Sequence, residues 1–469
     1  MPLRMRAALA VLVLILATAA GTAYVSHAAA ALGDDAMLME RVPSLALGGR
    51  SAFASPGQLS LIDQTYARVE DAYYRPVDLQ RLLDGGRSGL ENYLRVRGAK
   101  EHVAEMITTG TRAGDARLVR REVAMLAARE PSFPEADMTR AAISGMLRSL
   151  DDPYTVYLSA REISALNEEL QGGDFGGIGV YIVQNPKTHE TIVAPIPENP
   201  AIAAGVKPGD IILAVNGAST KGQSLDEVER RIRGPVGSRV TLLLRTEKGS
   251  AHRAITIMRA RVHVPSAIDK YDRGIEYVRL SDFGTSSYDE VRKDLLKGKA
   301  EGAHGYILDL RANGGGLLEA AVQISSLFVP QGTVVATIDR NGDRDARSAL
   351  RTSIGVAPLV VLVDRYTASA AEITAGAVQD YHVGTIVGTR TFGKGVVQSI
   401  YNLPDHSALK ITTARYVTPL GRDINKKGIT PDIVVSDPTA NGQPDLRKFG
   451  TPADPVYAEA RSLIEQKGA

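Results

Sequence analysis

The chain has no cysteine among its 469 residues. That excludes disulfides, thiolate metal ligands and a cysteine nucleophile together, and it is compatible with an oxidising compartment. A charge surplus is also lacking: 55 basic against 53 acidic residues leave a net +2. No basic block stands out, so nothing points to nucleic acid. Histidine is sparse, with His27, His102, His189, His252, His263, His304, His382 and His406. No internal repeat or low-complexity tract is evident. What remains is ordinary for a globular protein, 44% hydrophobic and 23% charged, and long enough for two or three domains.

At the N-terminus, Arg4 and Arg6 precede the apolar run AALAVLVLILATAA, and small residues follow. Residues 1–31 read as a signal peptide cleaved near Ala28 or Ala30, or as an uncleaved anchor over 7–25; a buried helix is the plainer alternative. Either of the first two exports the rest of the chain. The expected location is the periplasm, free or anchored in the inner membrane, with membrane contact only through this segment.

Periodicity then divides the chain. Residues 55–170 carry apolar side chains at helical spacing, as in SLIDQTYARVEDAYY and MTRAAISGMLRSL, and LDDPYTVYL reads as a closing turn. Residues 172–262 change to short Val/Ile/Leu runs broken by Gly, Pro and Asn, with one helix opened by Ser224 and Glu227 at capping-box spacing. Residues 268–437 alternate strands and helices. GYILDL leads through RANGGG to a helix with Leu317, Ala321, Ile324 and Phe328 on one face, and PLVVLVD leads into YTASAAEITAGAVQD. Residues 438–469 form a polar C-terminal tail with a short helix. The fold class is multidomain α/β: a helical N-terminal region, an inserted β domain with a helix, and an α/β core.

Three stretches of the core can carry chemistry. Ser369 follows a buried-type strand directly, among small neighbours at a helix N-terminus whose N–H groups can hold an oxyanion. Ser369-Ala370-Ala371-Glu372 also fits the capping box S-x-x-E, so Ser369 alone reads as cap or nucleophile. The hydrolase elbow G-x-S-x-G is lacking here, and of the histidines only His382 and His406 fall nearby. Lys394 lies between Gly393 and Gly395. Gly388 and Gly393-Lys394 mimic a phosphate loop, but Gly395 stands where a Ser or Thr would hold magnesium, and VVQSIYNL is strand-like. A solvated lysine is one reading; a desolvated lysine acting as general base is the other. Gln398, four residues on, would share one face of a strand with Lys394 and orient it. Asn313-Gly314-Gly315-Gly316 reads as a strand-to-helix turn or as an anion-holding backbone.

Together GMLRSLDDPYTVYL, GDFGGIGV, ILDLRANGGG, ASAAEITAGAVQD, TFGKGVVQ and TTARYVTPLGRDINKKGITPDI resemble, in this order and over residues 60–437, the C-terminal processing peptidases, exported serine peptidases with an inserted PDZ domain. The resemblance implies Ser369 as nucleophile, Lys394 as general base and Gln398 as the residue that orients it. Backbone N–H groups of Ala370 and of Gly314 or Gly315 would form the oxyanion hole. Glu372, Thr391 and Asp380 fall at supporting positions. Ala371 departs from a second serine common in the family. The β domain resembles a PDZ module that captures a peptide C-terminus as an added strand. Gly177, Ile178, Gly179 and Val180 would hold the carboxylate, and Val228 and Ile232 would wall the side-chain pocket or merely pack the helix. The implied activity is serine endopeptidase action on protein substrates with exposed apolar C-termini, with no cofactor or metal. Room is left for an adaptor protein and a homo-oligomer. The rival readings are a non-catalytic tail-binding scaffold and a Ser-His-Asp hydrolase.

Overall fold

The computed structural model describes residues 57–468 apart from 100, 171–174, 186–187, 197–198, 247–248, 250, 357, 437–445 and 447. The expected signal or anchor therefore lies outside the described residues. Among those described, no helix is long and apolar enough to cross a membrane.

Four helices, Ser60–Ala72, Leu79–Val96, Arg112–Arg129 and Glu135–Arg148, form the N-terminal layer. Glycines let the second and fourth touch backbone to backbone: a Cβ on Gly89 would lie 2.1 Å from the carbonyl oxygen of Ala141. The four helices share a core with Leu403, Leu409 and Ile411, so they dock on the hairpin formed by strands Val396–Asn402 and Ala408–Val417. The stretch LDDPYTVYL is more than a turn. Its last part, Val156–Leu158, pairs antiparallel with Ala408–Val417.

The inserted domain is a sheet in the order Val180–Gln184, Thr191–Pro195, Asp210–Val215, Arg239–Arg245, His252–Met258, crossed by the helix Leu225–Ile232. A short ribbon, Phe175–Gly177 against Ala260–Val262, closes its entry and exit. Val228 and Ile232 are buried in its core with Ile178.

The core domain is built on a six-stranded sheet in the order Ala267–Asp272, Ile275–Leu280, Gly305–Asp309, Leu359–Val363, Thr385–Gly388, Ile433–Val434; the first pair is antiparallel and the rest are parallel. Gly305–Asp309 and Leu359–Val363 are buried along their whole length, as apolar parallel strands covered on both faces must be. Helices Ser287–Ala300, Leu318–Ser325 and Ala370–Asp380 cover one face. The helix expected to run from Leu317 to Phe328 is shorter: Leu317 is its N-cap, and Phe328 lies past its end but still in the core.

The other face is covered by the final helix, Pro455–Gly468, with Val456, Tyr457, Ala460 and Ile464 against Ile307, Val360 and Leu362. Its polar appearance in sequence hides one apolar stripe. Asp454 at its start reaches across the sheet to Arg311, 143 residues away, and Arg311 also grips Asp309, with both closest contacts at 2.6 Å. This fully buried arginine is thereby paired on both sides.

Candidate active site

Gly305–Asp309, Leu359–Val363 and Thr385–Gly388 are adjacent parallel strands. Their carboxyl ends lead, in that order, into the glycine loop, the Ser369 turn and the Lys394 loop. Ligands of open α/β sheets bind at such carboxyl ends. Topology thus brings together residues that the sequence separates by up to some eighty positions.

The turn before the serine is built by Asp364. Its carboxylate accepts N–H bonds from Tyr366 and Thr367 at 2.9 Å and from Ala312 of the glycine loop at 3.1 Å. The Thr367 hydroxyl donates to the carbonyl of Leu310. Burial raises the pKa of the Asp364 carboxyl, against the pull of the N–H groups of Ala312 and Tyr366. Ser369 then adopts φ 57°, ψ −116°, a conformation L residues rarely take. Its side chain is fully buried and stands over the first turn in the capping-box arrangement, yet its hydroxyl makes no hydrogen bond. Ala370, the first helical residue, has no intrahelical acceptor for its N–H.

The glycine loop lies directly against this serine. A Cβ on Gly315 would stand 2.8 Å from the Ser369 Cβ and 2.9 Å from the Ala370 nitrogen, and φ at Gly315 is +106°, so only glycine fits. The Gly315 N–H donates to Asn313 Oδ1 at 2.8 Å, while Asn313 Nδ2 donates to the carbonyl of Leu280. In this structure the Gly315 N–H is therefore occupied within the loop, a state the sequence could not reveal.

Lys394 is 1% exposed and Gln398 0%. The flanking glycines explain the burial of the lysine: a Cβ on Gly393 would lie 2.8 Å from the Gly428 nitrogen, and one on Gly395 would lie 2.6 Å from the Asn425 nitrogen. The glycines let the 425–428 backbone close over the loop, which removes the solvated-lysine reading. One expectation is corrected. Lys394 does not share a strand with Gln398: it lies in the loop before Val396–Asn402, and the register shift opposite Val397 and Gln398 places the extra residue, Thr413, on the partner strand. Gln398 Nε2 donates to Thr412 Oγ1 at 3.4 Å, and its Oε1 is buried without a hydrogen-bond partner.

Glu372 joins the serine turn to the lysine loop. Its carboxylate accepts from the N–H groups of Ser369 (2.9 Å), Gly393 (2.8 Å) and Lys394 (2.9 Å) and from the Thr391 hydroxyl (2.5 Å). Burial nevertheless raises its pKa. Tyr416 adds a second link that sequence reasoning missed: its hydroxyl lies 2.5 Å from the Lys394 carbonyl oxygen and 3.1 Å from that of Ser369. Burial holds this phenol protonated far above its usual range. Asp380 stands apart, at the far end of the helix, accepting from the Leu420 N–H and paired with Arg422. His382 and His406 are both exposed, in turns, with no bond to the buried serine.

In the inserted domain, Val180–Gln184 is an end strand of its sheet, partly exposed throughout, beside the helix Leu225–Ile232. Such an edge has unpaired backbone groups available to an added strand. Gly177, at the end of the short ribbon, leads into it. Gly179 has φ +71°, and a Cβ there would lie 2.1 Å from the Asn199 Cβ.

The model of peptidase family S41 matches residues 274–435, and that of the PDZ domain matches residues 191–246. The carboxyl-terminal-processing protease of Synechocystis sp. is 39% identical over 332 residues, 70% of this chain and 77% of that protein. That of Picosynechococcus sp. is 38% identical over 338 residues, 71% and 80% of the two chains. A solved Photosystem II D1 C-terminal processing protease is 30% identical and covers 85% of this chain and 98% of its own, with a TM-score of 0.45. A serine-type peptidase with a PDZ domain is the class so defined. The chain belongs to the carboxyl-terminal-processing proteases of peptidase family S41.

Proposed function

We propose that this is an exported peptidase that cleaves proteins after capturing their apolar C-termini in its PDZ domain, with Ser369 as nucleophile and Lys394 as general base. The supporting observation is the pairing of a strained, buried serine whose hydroxyl has no hydrogen bond with a lysine buried on the same carboxylate bracket. A buried neutral amine takes the Ser369 proton as Oγ attacks the peptide carbonyl, and returns it to the leaving amine; water then hydrolyses the acyl-enzyme. Gln398 Oε1 accepts from the ammonium that forms in between. The Ala370 N–H, with that of Gly314, receives the oxyanion; Gly315 joins only when its bond to Asn313 opens. The edge strand and the loop Gly177, Ile178, Gly179 and Val180 take the substrate tail. Export rests on the charged and apolar N-terminal segment.

The test is mass spectrometry of a protein ending in an apolar tail, incubated with the wild type, Lys394→Ala, and a His382→Ala/His406→Ala double variant. Loss of cleavage in the lysine variant alone is the expected result. Loss in the histidine variant with survival of the lysine variant would reverse the assignment of the base.

A further inference from the structure

The lysine site is bounded by a turn outside the stretch that the peptidase family matches. The centroid of the half-buried Tyr154 ring lies 4.6 Å from Lys394 Nζ. The turn is held firmly. Asp152 accepts from the Tyr154 N–H at 3.0 Å and from the Thr155 hydroxyl at 2.7 Å. Thr155 Oγ1 in turn accepts the Thr412 N–H at 3.0 Å and lies 3.4 Å from Thr412 Oγ1, the same oxygen that receives Gln398 Nε2. Asp152, Thr155, Thr412 and Gln398 are all buried. A chain of contacts thus runs from the turn to the amide of Gln398. With its nitrogen end anchored on Thr412, the amide presents its unpartnered oxygen as an acceptor.

We propose that residues 152–155 complete the site of the base. The Tyr154 ring face positions the Lys394 side chain, and Thr155 sets the rotamer of Gln398 through Thr412. Resting on the Ser369–Lys394 reading, this makes Tyr154 and Thr155 positioning residues. An aromatic face attracts a cation and excludes water beside it. Its bulk therefore fixes the side chain by packing before proton transfer, and its face stabilises the ammonium that forms as Lys394 takes the Ser369 proton.

The experiment compares Tyr154→Leu, Tyr154→Phe and Thr155→Val in the full chain. It reads Tm, the rate at which a fluorophosphonate labels Ser369, and kcat and KM on a peptide substrate. Tyr154→Leu is expected to lower labelling and kcat about tenfold, from the size of a desolvated cation–π contact, with KM and Tm kept. Tyr154→Phe, which retains the ring face, restores most of the rate. Thr155→Val lowers kcat about threefold, as the loss of one hydrogen bond does. If leucine unfolds the turn, Tyr154→Met replaces it. Wild-type labelling by Tyr154→Leu, faster labelling, or equal damage by Phe and Leu overturns the role of the ring. Cleavage that survives Ser369→Ala instead overturns the underlying reading, and the proposal with it.

Discussion

Two of the chain's S-x-x-E helix starts, at Ser224 and at Ser369, end differently. Ser224 caps Leu225–Ile232 on the surface of the PDZ domain with extended backbone, φ −70° and ψ 157°. Its hydroxyl accepts the Glu227 N–H at 3.4 Å, and Glu227 accepts the Ser224 N–H at 2.9 Å. Ser369 starts Ala370–Asp380 in the core with φ 57°, and only the backbone half of the exchange makes a hydrogen bond. The carboxylate of Glu372 is shared with three donors of the lysine loop, whereas Glu227 serves its own helix. The first copy is a cap. In the second, the same residues brace a loop and leave the hydroxyl without a bond.

Removing each serine separates the two copies most. Ser369→Ala is expected to abolish peptidase activity, by more than about a thousandfold, with no loss of Tm, because its hydroxyl contributes no hydrogen bond to the fold. Ser224→Ala is expected to leave peptide turnover intact. Cleavage assays and thermal melts of both variants decide the matter, and a stability loss at Ser369 matching that at Ser224 would erase the contrast.

Next comes Glu372→Ala, which strands the N–H groups of Ser369, Gly393 and Lys394 and the hydroxyl of Thr391 in the interior. A loss of about 3 kcal/mol in urea unfolding is expected, together with most of the activity. Tyr416→Phe removes a smaller link between the same two segments. It should cost about 1 kcal/mol and lower kcat about tenfold with KM unchanged; an unchanged kcat would make the tyrosine a packing residue only. Ser224→Ala itself should cost about 1 kcal/mol or less, the usual value of an N-cap.

The smallest effect is the most specific. The carboxyl pKa of Glu227 is lowered from 4.5 by the backbone and hydroxyl of Ser224, whereas burial raises that of Glu372 above 4.5. A lowered carboxyl stabilises the fold above 4.5 and loses that contribution as pH falls through its folded value. A raised one stabilises most below 4.5 and loses its contribution as pH rises through its folded value. Relative to wild type, Glu372→Gln should therefore gain Tm with increasing pH above 4.5, and Glu227→Gln should lose Tm with increasing pH below 4.5. Parallel trends in the two melts would contradict this assignment.

Much of the core was legible because apolar parallel strands and their glycine-rich exits leave plain marks. The pattern VVLV followed by Ala-Ser-Ala-Ala marks a strand that ends in an unhindered turn. Lysine between two glycines was ambiguous, since nothing local says whether the loop is open or covered; the covering backbone arrives from 425–428. Asp364 carried no signal, and Tyr154 and Tyr416, though inside the quoted motifs, showed no role, because each acts through partners remote in sequence. The polar C-terminal stretch concealed Asp454 and the apolar stripe that seats the last helix.

By itself, the sequence determined where strands end and helices begin, because these follow from local periodicity and capping, and it offered Ser369 and Lys394 as candidates for chemistry. Tertiary structure decided that Ser369, unlike Ser224, keeps an unbonded hydroxyl. Three adjacent parallel strands deliver their exits to one place, and there Glu372 meets donors from a loop some twenty residues away. Buried donors must find acceptors wherever the fold brings them, so the carboxylate that caps the Ser369 N–H is also drawn into the bracket around Lys394.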